Sequence, residues 1–224
     1  MGVAQTRAET AKRLLCVLAG LCLVYTVSLG AFTRDHIFAA EAVPAAGYDS
    51  LFGFGRQSVG LSLGHGYALG FGGGRGTELE DVQFLYVAPR WGVGVSDPLG
   101  GNSWFRGNFE FALEGAFHYI FEPKDGIAGG VTPLIRYNFL TGGRLIPFVQ
   151  FGAGFLALDA NLKSQSDGLN FAPQWGVGMH YFISDRTSIT GEWRLHHISN
   201  ASIHENNLGI NSSLFMIGLT YFLR

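Results

Sequence analysis

Asn108-Phe-Glu-Phe-Ala-Leu-Glu-Gly-Ala-Phe-His-Tyr-Ile-Phe121 decides the fold. Phe109, Phe111, Leu113, Phe117, Tyr119 and Phe121 fall on one side of an extended chain, with Asn108, Glu110, Glu114 and His118 on the other. That alternation is the period of a β-strand, whose side chains point to opposite faces in turn. Yet its large aromatic residues lie on one face and its charges on the other, which fits a strand between an oily and a polar environment. Working outward, the same rhythm returns. Val59, Leu61, Leu63, Tyr67, Leu69 and Phe71 oppose Gly60, Ser62, Gly64, Gly66, Ala68 and Gly70. Trp175, Val177, Met179 and Tyr181 oppose Gln174, Gly176, Gly178 and His180. Phe215, Ile217, Leu219, Tyr221 and Leu223 oppose Met216, Gly218 and Thr220. Segments near 79–95, 131–140, 146–158 and 187–199 are less regular but strand-like.

Eight strands is the smallest usual count for a transmembrane β-barrel, and composition points the same way. Of 224 residues, 47% are hydrophobic and only 14% charged, whereas an average globular chain carries about 25% charge. No stretch after residue 50 approaches the roughly 18 consecutive apolar residues of a membrane helix. Excess apolarity without a spanning helix predicts a closed all-β, eight-stranded antiparallel barrel of outer-membrane type, its outer face in lipid. Small inward residues, many of them among the 33 glycines, let such a narrow barrel close. The net charge of −2 offers no footprint for nucleic acid.

The linkers carry a second signal. Turn-rich links at 97–103, 140–144 and 184–186 alternate with more polar, mostly longer ones at 72–80, 122–130, 159–170 and 200–210. Short turns at one end and long loops at the other are the outer-membrane pattern. With both termini periplasmic, the seventh strand runs outward and ends at the outer leaflet.

The N-terminus reads as an export signal. Arg7, Lys12 and Arg13 precede an apolar run from Leu14 to Phe32, and small residues follow. Cleavage after Ala42 is preferred over Ala40 or Ala46, and the competing reading is a retained anchor helix. This divides the chain into a signal and cleavage region (1–42), a lead-in (43–57) and the barrel (58–224). Cys16 and Cys22 both lie in the signal, so the mature chain has no thiol chemistry.

Candidate chemistry sits at the end of the seventh strand, in His197-Ile-Ser199-Asn200. His197 and Ser199 share a face with Ile189, Trp193 and Leu195, whereas Glu192, Arg194 and His196 share the other. The charged set suits the lumen, which directs His197 and Ser199 to lipid. Antiparallel pairing across the 200–210 loop could bring in Asn211. A serine hydroxyl becomes a nucleophile when a base takes its proton, and a third group fixes the base's tautomer. Ser199, His197 and Asn211 supply those parts, and the Asn200 amide could donate to a developing oxyanion. Glu110, Glu114, Arg136 and Arg194 are expected to pair in the lumen, with His196 joining Glu192 and Arg194 there. Tyr181, Tyr221 and Phe222 are expected as interfacial anchors. His204 and Glu205 lack a third metal ligand at sensible spacing, so no metal site is expected.

Arg194-Leu-His-His-Ile-Ser-Asn-Ala-Ser-Ile203, then Asn207-Leu-Gly-Ile-Asn211, resembles the lipid A 3-O-deacylases of the PagL type. Ile146-Pro-Phe-Val-Gln-Phe-Gly-Ala-Gly-Phe155 and Asn170-Phe171 with Trp175-Gly-Val-Gly178 extend the likeness, which runs from about residue 130 to the end. The resemblance implies an outer-membrane carboxylic ester hydrolase acting on lipopolysaccharide without a cofactor. It matches the family's catalytic histidine to His197, its serine to Ser199 and the following asparagine to Asn200. The family's third member is a glutamate in its best-known representative, and that position here holds Asn211; Glu205 is the alternative. The competing function is a non-enzymatic barrel for adhesion or envelope integrity. A homodimer is left open.

Overall fold

In the computed structural model, residues 47–70 and 81–223 are described. The expected signal region and Phe71 lie outside them, as does Leu79. Eight antiparallel strands follow one another in chain order: β1 (Gln57–Ala68), β2 (Gln83–Gly94), β3 (Gly107–Glu122), β4 (Gly126–Phe139), β5 (Leu145–Asp159), β6 (Gly168–Phe182), β7 (Thr187–Ile198) and β8 (Ile210–Phe222). Each pairs with its neighbours and β8 pairs with β1, so the sheet closes and leaves no edge. The barrel has a terminal end, where Ser58 lies opposite Phe222. At the far end β7 gives way to β8.

Parity follows the alternation. Leu61, Leu63, Phe109, Leu113, Phe151, Trp175, Met179, Tyr181, Phe215, Ile217 and Leu219 project outward and exposed, as a lipid-facing belt requires. The lumen is filled in three layers. Toward the far end, Phe84, Tyr86, Ile120, Leu156, Leu158, Ile198 and Leu214 form an apolar core. In the middle, three arginines meet three glutamates. Arg194 contacts Glu114 at 2.7 Å and Glu192 at 2.5 Å; Arg90 contacts the same two carboxylates at 2.5 and 2.6 Å. Arg136 lies 3.6 Å from Glu192 and 3.9 Å from Glu110, and donates to Gln150 at 2.9 Å. These side chains are buried, and a buried ion is tolerated only when paired and hydrogen-bonded.

The terminal end is closed by the lead-in. Residues Tyr48–Leu51 form one 3-10 turn that drives Tyr48 into the mouth, where it stacks on Phe182 with ring centroids 4.4 Å apart. Asp49 ties the turn down through Arg106 and through the Gly142 N–H. Phe52 and Phe222 complete this plug, 5.0 Å apart. Phe222 is therefore an inward, buried residue and not an interfacial anchor, because its place in the alternation is opposite that of Tyr221.

Two expected boundaries move. The link at 122–130 is a tight turn at 123–125, because β4 begins at Gly126. The glycines there imitate a loop in sequence but serve strand packing: a Cβ on Gly130 would sit 1.9 Å from the Phe155 carbonyl oxygen. Likewise β6 begins at Gly168, well before Gln174, and continues through Pro173. At the terminal end, the link between β2 and β3 runs over residues 95–106 and exceeds the short turn expected there.

Candidate active site

β7 places Leu195, His197 and Ser199 on the outer face and His196, Ile198 and Asn200 toward the interior. Antiparallel register sets His197 directly opposite Asn211 at the start of β8. Their side chains meet: His197 Nδ1 lies 2.8 Å from Asn211 Oδ1. An amide oxygen only accepts, so Nδ1 donates here, and the neutral ring presents its lone pair at Nε2. The imidazole is thus held in the tautomer that a general base requires. Glu205 stands exposed in the loop, and it is Asn211 that orients the ring.

Ser199 follows the last residue of β7 but remains in the sheet. Its N–H donates to the Phe171 carbonyl at 3.0 Å, and Phe171 N–H donates back at 2.7 Å. The early start of β6 therefore fixes the serine backbone. Two residues apart on one face, Ser199 and His197 lie on the same side of the sheet, with backbones about 6.5 Å apart along the chain. Among the described residues the Ser199 hydroxyl makes no hydrogen bond, and Nε2 likewise has no polar partner.

Asn200 does not join them. It is fully buried, its Nδ2 donates to the Asn206 carbonyl at 3.0 Å and its backbone N–H donates to Asn207 Oδ1 at 2.8 Å. Parity turns its side chain toward the interior, where both its donors brace the 199–209 loop.

Three residues to which the sequence assigned no role support the site. Gln165, from the loop between β5 and β6, is fully buried; it donates to Asn170 Oδ1 at 2.7 Å and accepts the Gly209 N–H at 3.2 Å. Asn207 accepts from Asn200 in the same cluster. Gly209 has φ +77°, and a Cβ there would sit 2.7 Å from His197 Cε1. Only glycine combines that backbone with so close an approach to the ring. The one sequence signal was amide richness (Gln165, Asn170, Asn206, Asn207), which reads equally as solvated loop.

His196 is buried as expected but in different company. Its ring lies 5.3 Å from His118 and 6.1 Å from Phe84, and its Nδ1 is 3.4 Å from Ser212 Oγ, so it sits above the charged layer and outside it.

A hydroxyl, an oriented base and an apolar surround make an esterase-like arrangement, and sequence comparison decides its lineage. The family model for lipid A 3-O-deacylase (PagL) matches residues 85–220, more than half of the chain. The chain belongs to the lipid A 3-O-deacylase family. It is therefore an ester hydrolase of the outer membrane, and the adhesion or integrity reading gives way. No curated protein sequence matches it. Solved structures share the fold. Neisserial surface protein A superposes at TM-score 0.50 with 14% identity, covering 74% of this chain and 96% of that one. The outer membrane enzyme PagL has 19% identity, coverage of 72% and 97%, and TM-score 0.48. Ail, the attachment invasion locus protein of Yersinia pestis, has 11% identity, coverage of 76% and 99%, and TM-score 0.48. Barrels of this kind serve several purposes, so the fold alone carries no activity.

Proposed function

We propose that this lipid A 3-O-deacylase cleaves its ester with Ser199 as nucleophile and His197 as base, Asn211 orienting the base, on the lipid-facing side of the barrel at the outer leaflet. Ser199 Oγ attacks the acyl carbonyl carbon while His197 Nε2 takes the hydroxyl proton. The tetrahedral intermediate collapses, the bond to the sugar oxygen breaks, and that oxygen receives the proton from His197. Water activated by the same imidazole then releases the fatty acid and restores Ser199. Asn211 fixes the tautomer but brings no charge to stabilise the imidazolium, so its contribution is orientational. The observation that carries this reading is the 2.8 Å contact of His197 Nδ1 with Asn211 Oδ1 on the outer face. An outward site lets the acyl chain stay in the hydrocarbon while its ester meets the serine. The net charge of −2 and the apolar surround suit a membrane lipid and no nucleic acid. The chemistry of the triad calls for no metal.

The test is mass spectrometry of lipid A from an outer membrane containing the protein. Wild type removes one 3-O-linked acyl chain and Ser199→Ala, equally folded, removes none. Deacylation by Ser199→Ala contradicts the assignment.

A further inference from the structure

Beside His197 the outer face is hollow. A cleft of about 440 Å³ is bounded by His197, Asn211, Leu195, Trp175 and Phe151 over a floor at Pro173. Its lining is mostly apolar, with Gln174 and Ser212 adding polar groups to those of His196, His197 and Asn211. On the far side of Trp175 and Phe151 lies a second cleft of about 250 Å³, lined by Val149, Val177 and Tyr137. Trp175 and Phe151 face each other across β5 and β6, 49% and 62% exposed, and form the ridge between the two. Trp193 supports the ridge, edge-on to Trp175 with centroids 5.6 Å apart, and is itself anchored through Nε1 to Ser213 Oγ at 2.8 Å.

The register shows where this path leads. Leu195 pairs with Trp175, Trp175 with Phe151, Phe151 with Ile135, Ile135 with Phe111, Phe111 with Val93 and Val93 with Gln57. One row of neighbours thus passes from near the far end of β7 to the first residue of β1, at the terminal end. Rows in a small barrel are oblique because its strands tilt by about 35–45°. From His197 toward β4, the hollow descends from the site end into the lipid-facing belt.

We propose that Trp175 and Phe151 determine which acyl-chain lengths are accepted. This rests on the reading above, in which the ester sits at Ser199 and His197. The acyl chain leaves the ester along the first cleft and meets the Trp175–Phe151 ridge. Chains that end before the ridge are seated fully. Longer ones must bend out into the surrounding lipid and lose contact with the protein. Without the ridge the two clefts become one continuous furrow, and the longer chain is seated along its length. Shape along an apolar pocket discriminates modestly, by about 10–200-fold per mismatched methylene-sized step.

The experiment compares lipid A preparations with 3-O-acyl chains of graded length, using purified full-length protein in detergent–phospholipid micelles. Wild type, Trp175→Ala, Phe151→Ala and the conservative Trp175→Phe are each measured for kcat/KM on every length. The two alanine variants raise the ratio of long-chain to short-chain kcat/KM at least about ten-fold, and Trp175→Phe returns it toward wild type. An unchanged ratio, or an equal loss at all lengths, overturns the proposal while wild-type deacylation stands. Failure of wild type on every length overturns the deacylase reading together with it. The side chains project outward, so folding is checked independently by heat-dependent migration in gels.

Discussion

His196 and His197 are adjacent, yet one belongs to the barrel's interior and the other to its surface. Inside, His196 lies among aromatic rings above a layer in which Arg90, Arg136 and Arg194 meet Glu110, Glu114 and Glu192. Outside, His197 has one polar partner on Nδ1, with a serine two residues away and an apolar hollow in front. The interior layer satisfies its charges against one another, and so it is committed to holding the fold. Among the described residues, the outer face leaves the Ser199 hydroxyl and His197 Nε2 unengaged. A single step along a strand separates structural polarity from chemical polarity, because parity decides which side of the sheet a residue serves.

The comparison is broken most directly by exchanging the fates of the two histidines. His197→Ala is expected to lower deacylation at least about 10³-fold while leaving the barrel folded. His196→Ala is expected to lower the unfolding midpoint while activity per folded molecule stays at the wild-type level. Parallel assays of lipid A release and thermal unfolding check both, and a catalytic loss in His196→Ala equal to that of His197→Ala would merge the regions. Next in size is Arg194→Ala, which takes from Glu114 and Glu192 one of their arginines and leaves both to Arg90. The cost expected is about 3 kcal/mol in denaturant unfolding, the low end for a broken buried pair, since each carboxylate keeps one close cation. Gly209→Ala sharpens the outer half. It forces a side chain against His197 Cε1 at a positive φ, with about 10²-fold lower kcat expected from displaced geometry and little change in KM. The smallest effect belongs to Asn211. Asn211→Ala frees the ring to rotate and gives up part of the roughly 10²–10⁴-fold benefit of general-base catalysis. Asn211→Asp, which adds charge beside the imidazolium, is expected to exceed Asn211→Ala in kcat.

Legibility in the sequence followed how local each determinant was. β3 and β8 announced themselves because large apolar residues recur at every second position over most of 109–121 and 215–221, while β7 was less regular but still strand-like. The same alternation put His197 and Ser199 outward, and the short 199–209 link brought Asn211 within reach. The starts of β4 and β6 were hidden by Gly126, Gly129, Gly130 and Pro173, residues that punctuate loops in most chains. Here close backbone approach and a position tolerant of a missing N–H explain them. The burial of Asn200 was not legible either, because adjacency to Ser199 draws attention to its amide while its parity turns it inward. Phe222 was misread for a related reason: a terminal aromatic suggests an interface, but its partners are Phe52 and Phe182, and Phe52 lies at the other end of the chain. Gln165 and Gly209 carry the most distant determinant. Their relation spans two loops and needs the closed sheet to exist.

Labelling of the folded barrel by a lipophilic fluorophosphonate tests the central claim most directly, because only an activated serine at an oil-facing site reacts quickly. The account predicts modification at Ser199, mapped by peptide mass spectrometry, and its collapse in His197→Ala. Labelling at another serine, or undiminished labelling of Ser199 without the imidazole, would contradict it.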